Sequence, residues 1–140
     1  MADDQRCVFC ELMRTGAARW VAEDDDDAVA FLPLPETALA PGHTLVVPRE
    51  HCAGVLDASP AALFAATALV QRVGRAMTRT IGATGVVVLN ASGPHSGQSV
   101  AHLHFHVVPC WPDDGAVYWP GDRSARPAIP DVHTLLAAGL

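Results

Sequence analysis

Residues 101–109 read A-H-L-H-F-H-V-V-P, so His102, His104 and His106 alternate with Leu103, Phe105 and Val107. A period of two marks a strand with one face in the core. The pattern predicts a strand that projects three imidazoles together and sends its apolar side chains inward. Three readings of that face compete. One is a polar face that happens to carry histidine, although exposed strand faces favour Thr, Lys, Glu and Arg. Another is a metal site. A rise of ~3.4 Å per residue separates the Cα atoms of His102 and His106 by ~13 Å, so one ion with Zn–N bonds of ~2.0 Å gathers at most two of the three. The third is catalytic, with one imidazole as nucleophile and neighbours that orient it and bind the anion it attacks.

Composition narrows the classes. A chain of 140 residues suits one domain with a real core, read here as a core of about 7–109 and a C-terminal tail over 110–140. No stretch reads as a signal peptide or a membrane span. The net charge is −6, with nine arginines and no lysine, which argues against a nucleic-acid partner. A small anion can still be held by backbone N–H groups and histidines. Without a secretion signal, Cys7, Cys10, Cys52 and Cys110 read as thiols or metal ligands rather than a disulfide framework, and the expected location is cytoplasmic.

No repeat or linker interrupts the chain. Residues 8–14 predict a short helix ending near Gly16, and Trp20–Ala22 and Ala28–Leu32 predict strands across the acidic run Glu23-Asp24-Asp25-Asp26-Asp27. That run is a solvated turn or a cation site, and it lacks the spacing of a calcium loop. Residues 33–42, with three prolines and a glycine, predict a loop, followed by a strand over His43–Val47 that Pro48 stops. Ser59 as N-cap, Pro60 at the first position and Gly82 after the last turn bracket a long helix. Its core stripe is read as Leu63, Val70, Val73, Met77 and Ile81, with Gly74 an internal cost of about 1 kcal/mol. Gly85–Asn90 predicts a buried strand. The order of elements fits an α+β fold, an antiparallel sheet with helices packed on it.

The loop Ala91–Gln98 ahead of the histidines holds Gly93 and Gly97, which permit backbone geometries that turn successive N–H groups toward one point. Ser96 and Ser99 add hydroxyls, and Gln98 and Asn90 add amides. A neutral imidazole beside such a cradle suits attack on phosphorus through a phosphoramidate intermediate.

These residues resemble the histidine triad (HIT) superfamily of nucleotide hydrolases and transferases. The motif H-φ-H-φ-H-φ-φ stands as His102-Leu103-His104-Phe105-His106-Val107-Val108, preceded by Gly97-Gln98-Ser99-Val100 and by Asn90 at the end of the previous strand. Further likenesses are Cys7-Val8-Phe9-Cys10, Glu23-Asp24-Asp25, Ala30-Phe31, and Pro41 to Pro48 with His51. Tyr118-Trp119-Pro120-Gly121 is similar to the tail of the phosphoramidate-cleaving (Hint) branch. The resemblance implies a five-stranded antiparallel sheet with two helices, the sheets of two subunits joined in a homodimer.

For the site, the resemblance implies His104 as nucleophile on the α-phosphorus and His106 against the phosphate. It places His43 beside the triad, and Asn90, Gly97 and Ser99 on phosphate oxygens or leaving group, with Gln98 at the mouth. Phe9, Phe31 and Leu34 are candidates for an apolar base pocket or plain core. The Cys7/Cys10 pair alone reads as a redox pair, two buried thiols or half a zinc site. Zinc-bearing relatives would complete a structural Cys7, Cys10, His51, His102 tetrahedron, assigning the first triad histidine to metal. Cys52 and Cys110 read as ordinary thiols. The chain departs from the family after Phe31, where an Asp or Asn normally holds the ribose hydroxyls. Pro33 or Pro35 falls there, and neither side chain can hydrogen-bond; Glu36 or Thr37 could substitute.

The expected function is hydrolysis of a purine nucleotide or nucleoside phosphoramidate through a nucleotidyl-His104 intermediate. The alternatives are dinucleoside polyphosphate hydrolysis, nucleotidyl transfer, and a nucleotide-binding regulator with incidental activity.

Overall fold

The computed structural model of the protein describes residues 7–23 and 25–140. Asp24 of the acidic turn lies outside the described residues. Helix α1 (Val8–Thr15) starts on Cys7, whose Sγ accepts the Cys10 N–H at 3.4 Å. It stops at Gly16, whose left-handed backbone (φ 72°) returns its N–H to the Leu12 carbonyl. Strands β1 (Trp20–Ala22), β2 (Ala28–Phe31) and β3 (Thr44–Pro48) follow, then helix α2 (Pro60–Thr80), strands β4 (Gly85–Leu89) and β5 (Phe105–Cys110), and a short helix α3 (Val132–Ala138). The five strands form one antiparallel sheet in the order β1-β2-β3-β5-β4. This is the α+β architecture expected, with α3 as an added third helix in a tail whose periodicity did not announce it. No helix among the described residues is long and apolar enough to cross a membrane.

The strand period sorts the core onto the two faces of the sheet. Ala28, Ala30, Val46 and Val107 turn toward α2 and meet Ala66, Leu69, Val73 and Met77. Val29, Phe31, Leu45 and Val47 turn the other way and pack with Phe9 of α1. Phe105 and Val107 lie on the α2 side, so the intervening His106 falls on the α1 side by alternation. The face that carries chemistry is thus covered by the short N-terminal helix.

Four expectations need correction. The histidine strand begins at Phe105, not His102. Ahead of it the Leu103 N–H bonds the Cys52 carbonyl at 2.8 Å, and the Asn90 amide bonds the His104 carbonyl at 2.9 Å. These ties divert 102–104 from the sheet ladder. Second, β4 is an edge strand rather than a buried one, with Val86 39 % and Val88 45 % exposed. Third, the α2 stripe is rotated: Ala62, Ala66, Leu69, Val73 and Met77 are buried, Leu63 and Val70 flank them, and Ile81 is 44 % exposed. Small alanines let the helix lie close to the sheet, and a reading by bulky side chains passes over them. Fourth, the loop over 33–42 contains a 3-10 turn at Pro35–Thr37.

The described end of the acidic run, residues 25–27, forms a bend. Asp25 Oδ1 accepts the N–H groups of Asp27 and Ala28 at 3.0 and 3.2 Å, and its other oxygen pairs with Arg72 at 3.2 Å. These bonds, the Asp27 N–H first, hold the Asp25 carboxyl below its ordinary pKa.

Candidate active site and metal centre

Two constellations share the segment before β5. The first gathers Cys7 and Cys10 from the start of α1, His51 from the loop after β3, and His102. Their ligand atoms all lie within 4.8 Å of one another. His102 is fully buried, and its Nε2 donates to the Pro48 carbonyl at 2.8 Å. A carbonyl only accepts, so the proton sits on Nε2 and the Nδ1 lone pair is turned to the thiols. That Nδ1 is 3.3 Å from Cys7 Sγ, 3.5 Å from Cys10 Sγ and 3.1 Å from His51 Nδ1, while His51 Nδ1 is 3.3 Å from Cys10 Sγ. Zinc bond lengths set tetrahedral edges of about 3.3 Å for N···N and about 3.6 Å for S···N. The observed spacings fit such a tetrahedron. Two soft thiolates and two imidazoles suit zinc, and four protein ligands close the shell, which is the pattern of a structural site.

The second constellation is built on His104. Its Nδ1 donates to the His102 carbonyl at 2.8 Å, which leaves Nε2 as the nitrogen with a lone pair. The ring is buried, with the edge of Phe9 against it at a centroid distance of 5.2 Å and His106 at 5.1 Å. His106 is set by a relay. The Leu39 N–H donates to His43 Nδ1 at 3.0 Å, so His43 carries its proton on Nε2, which donates to His106 Nδ1 at 3.0 Å. His106 therefore holds its own proton on Nε2 and offers it as a donor. Burial, then repulsion by His104 and His43, pushes the His106 pKa down to about 4. Burial lowers that of His43 as well. Neutral rings are what the single-tautomer relay requires.

A cavity of about 680 Å³ opens over these rings, lined by His43, Ser99, His104 and His106 at one side and by Phe9, Leu12, Phe31, Pro33 and Leu34 at the other. The residues foreseen for an apolar pocket thus lie together in its wall. Arg19 and Thr37 also line it. Pro33 is there too, and its carbonyl accepts from the Arg19 guanidinium at 2.5 Å. Glu36 does not line it.

The loop before the triad is held from within. Gln98 Oε1 accepts the Gly93 N–H at 2.9 Å, and its Nε2 donates to the carbonyls of Ala53 and Val100. Asn90 spends its amide on the His104 carbonyl and accepts from the Ser92 hydroxyl at 2.8 Å. Both side chains thus act on the protein, Asn90 directly on the backbone of His104. Gly97 takes a left-handed φ of 93° on the exposed rim. The sequence did not reveal the Leu39 N–H, because a backbone donor has no residue signature. Nor did it single out Arg19, an isolated arginine. The thiols of Cys52 and Cys110 donate to nearby carbonyls, those of Glu50 and Val108. Burial raises the Cys52 pKa, which keeps it a thiol.

The comparisons agree with this geometry. An uncharacterised HIT-like protein of Saccharolobus solfataricus is 34% identical over 108 residues, 77% of this chain and 76% of its own. The crystal structure of a zinc-bound histidine triad family protein from Mycobacterium smegmatis superposes with a TM-score of 0.75 at 29% identity, over 86% of each chain. A hypothetical histidine triad nucleotide-binding protein of Sulfolobus tokodaii superposes with a TM-score of 0.70 at 26% identity, over 94% of this chain and 87% of that one. With the Cys2His2 cluster and a zinc-bound relative of the same fold in hand, the first constellation is a structural zinc site. The HIT domain family matches residues 17–112, more than half of the sequence, and the chain belongs to that family.

Proposed function

We propose that the protein is a nucleotide hydrolase that releases a nucleoside monophosphate from a phosphoramidate or phosphoanhydride through His104. The observation that carries this reading is the 2.8 Å bond from His104 Nδ1 to the His102 carbonyl, which leaves the Nε2 lone pair at a ring that lines the cavity. Nε2 forms a bond to the α-phosphorus while the bond to the leaving amine or phosphate breaks; the leaving group keeps the electron pair, and a leaving amine takes a proton from solvent, which the attacking water later returns. The positive charge that develops on the imidazole faces the His102 carbonyl dipole. Water then attacks phosphorus, and the N–P pair returns to Nε2. His106 Nε2–H is the donor for a phosphoryl oxygen, and Ser99 and the backbone of Gly97 are candidates for the others. His102 is left to the metal. The zinc anchors α1 and the His102 segment and takes no part in these steps.

The base is proposed to lie against Phe9, Phe31 and Leu34. Among the described residues, the wall beyond them presents Arg19, Pro33 and Thr37 and no carboxylate for a ribose diol, which keeps a nucleotide-binding regulator as the second reading. A second copy of the chain, paired along the exposed β4 edge, is the proposed partner; sedimentation at micromolar concentration is expected to show a dimer, and a monomer would refute it.

The deciding experiment is single-turnover hydrolysis of adenosine 5′-phosphoramidate by wild type and His104→Ala, quenched at alkaline pH because the histidine–phosphorus bond is acid-labile, with mass spectrometry of the protein. A nucleotidylated histidine and product in the wild type, both absent in the variant, support the reading. Binding with neither adduct nor product for adenosine and guanosine substrates supports the regulator instead.

A further inference from the structure

We propose that Tyr118, in the tail beyond the catalytic fold, is a positioning residue that sets the proton on His106 through the Leu39 peptide and His43. The inference deepens the proposed function, since it gives the tail a part in preparing the same site.

Three bonds carry it. The Tyr118 hydroxyl donates to the Leu39 carbonyl at 2.9 Å. The N–H of the same residue donates to His43 Nδ1 at 3.0 Å. His43 Nε2 donates to His106 Nδ1 at 3.0 Å. Leu39 is thus gripped on both of its peptide units, by the tail on one side and by a histidine of the site on the other. A phenol is a donor at neutral pH, and burial, with Asp114 and Cys110 nearby, raises the Tyr118 pKa further and keeps it one.

The remainder of the junction is loose. A cavity of about 440 Å³ lies among Leu39, Pro41, Trp111, Asp114 and Tyr118. Apart from a local turn around Asp114, the Tyr118 hydroxyl makes the one hydrogen bond that ties residues 112–140 to the rest of the described chain. On the other side, residues 38–42 lie between the 3-10 turn and β3, in no regular element. A loop of this kind keeps its peptides aligned only where something holds them.

The alignment matters because an imidazole relay has two settings. With the Leu39 N–H on His43 Nδ1, the His43 proton is on Nε2, and the His106 proton is on its own Nε2, available to the cavity. If the Leu39 peptide turns away, His43 can carry its proton on Nδ1 and present a lone pair to His106. His106 then moves its proton to Nδ1, and the cavity loses a donor. The Tyr118 hydroxyl biases the relay toward the first setting.

The test is Tyr118→Phe in the zinc-loaded protein, which removes one oxygen and keeps the ring. Nitrogen-15 spectra of the imidazoles distinguish protonated from unprotonated nitrogens, and steady-state kinetics on adenosine 5′-phosphoramidate separate kcat from KM. In wild type, His43 and His106 should each show one tautomer, protonated at Nε2. In Tyr118→Phe both should become mixtures, and kcat should fall about three- to tenfold with KM little changed, as expected for loss of one hydrogen bond. Val117→Ala, a neighbouring tail change, should alter neither. Unchanged tautomers in Tyr118→Phe overturn the proposal, whatever the rate does. If the wild type shows no turnover on any nucleotide, the hydrolase reading fails, and the tautomer spectra alone decide the role of Tyr118.

Discussion

His106 stays neutral through the physiological range, because burial and then repulsion from His104 and His43 push its pKa to about 4, against 6.5 for an ordinary histidine. This has a consequence for stability. Above pH 6.5 neither the folded nor the unfolded chain holds the proton, and the residue is silent. Between 6.5 and 4 the unfolded chain takes up a proton that the folded one refuses, so stability falls as the pH falls, and the loss levels off below 4. The size is on the order of 1–2 kcal/mol, since solvent reaches part of the ring and reduces the full effect. Urea unfolding at pH 7.5 and pH 5 should show a smaller loss for His106→Gln than for wild type. Both proteins carry the same four metal ligands, so the difference isolates residue 106, and equal losses would contradict the burial argument. At this scale the sequence was readable where side chains differ in kind. The zinc quartet and the three apolar wall residues were all singled out, and the structure brings each group together. The tautomers were not readable, because carbonyl and N–H groups decide them, and every residue but proline has both.

Helix α2 shows what pattern reading catches and what it loses. Both of its ends were recognised from Ser59, Pro60 and Gly82, since capping is local chemistry. The buried stripe was misplaced because Ala62 and Ala66 carry little hydrophobic signal yet are buried. Gly74 belongs to the same story. A Cβ built there would lie 3.6 Å from Val86 Cγ2, an ordinary contact, and its backbone is helical. Gly74→Ala is therefore expected to raise stability by up to about 1 kcal/mol, through helix propensity and a less flexible unfolded chain. A raised urea midpoint at constant slope is the measurement, and a lowered one would mean that α2 and β4 approach too closely for a methyl group. Strand β5 carries the complementary lesson. Alternation predicted the order of the rings, but backbone bonds to Cys52 and Asn90 set where the ladder begins, and these come from positions far apart in sequence.

On the scale of the whole molecule, the fold class followed from the order of helix and strand signals, whereas the edge position of β4 and the tail helix did not. Edge or centre is a property of the assembled sheet, and residues 132–138 bury no side chain to leave a periodic trace. Removal of zinc is expected to lower the melting temperature, because the ion joins the start of α1, the loop after β3 and the segment before β5. The placement of α1 adds something more. This helix is eight residues long, too short to persist alone in water, and it supplies Val8, Phe9 and Leu12 to the cavity wall. Whatever steadies its first turn also shapes the surface that meets a ligand. Thermodynamic reciprocity then requires the converse: a ligand that fills the cavity must tighten the grip on the metal by the same factor that the metal tightens the grip on the ligand. Competition with a chromogenic chelator should show zinc held about fivefold or more tightly when a nucleoside monophosphate is present, the lower end of ordinary coupling. Identical affinities would mean that α1 keeps its place without the ion. With coupling of that size, mineral and nucleotide would each report the presence of the other.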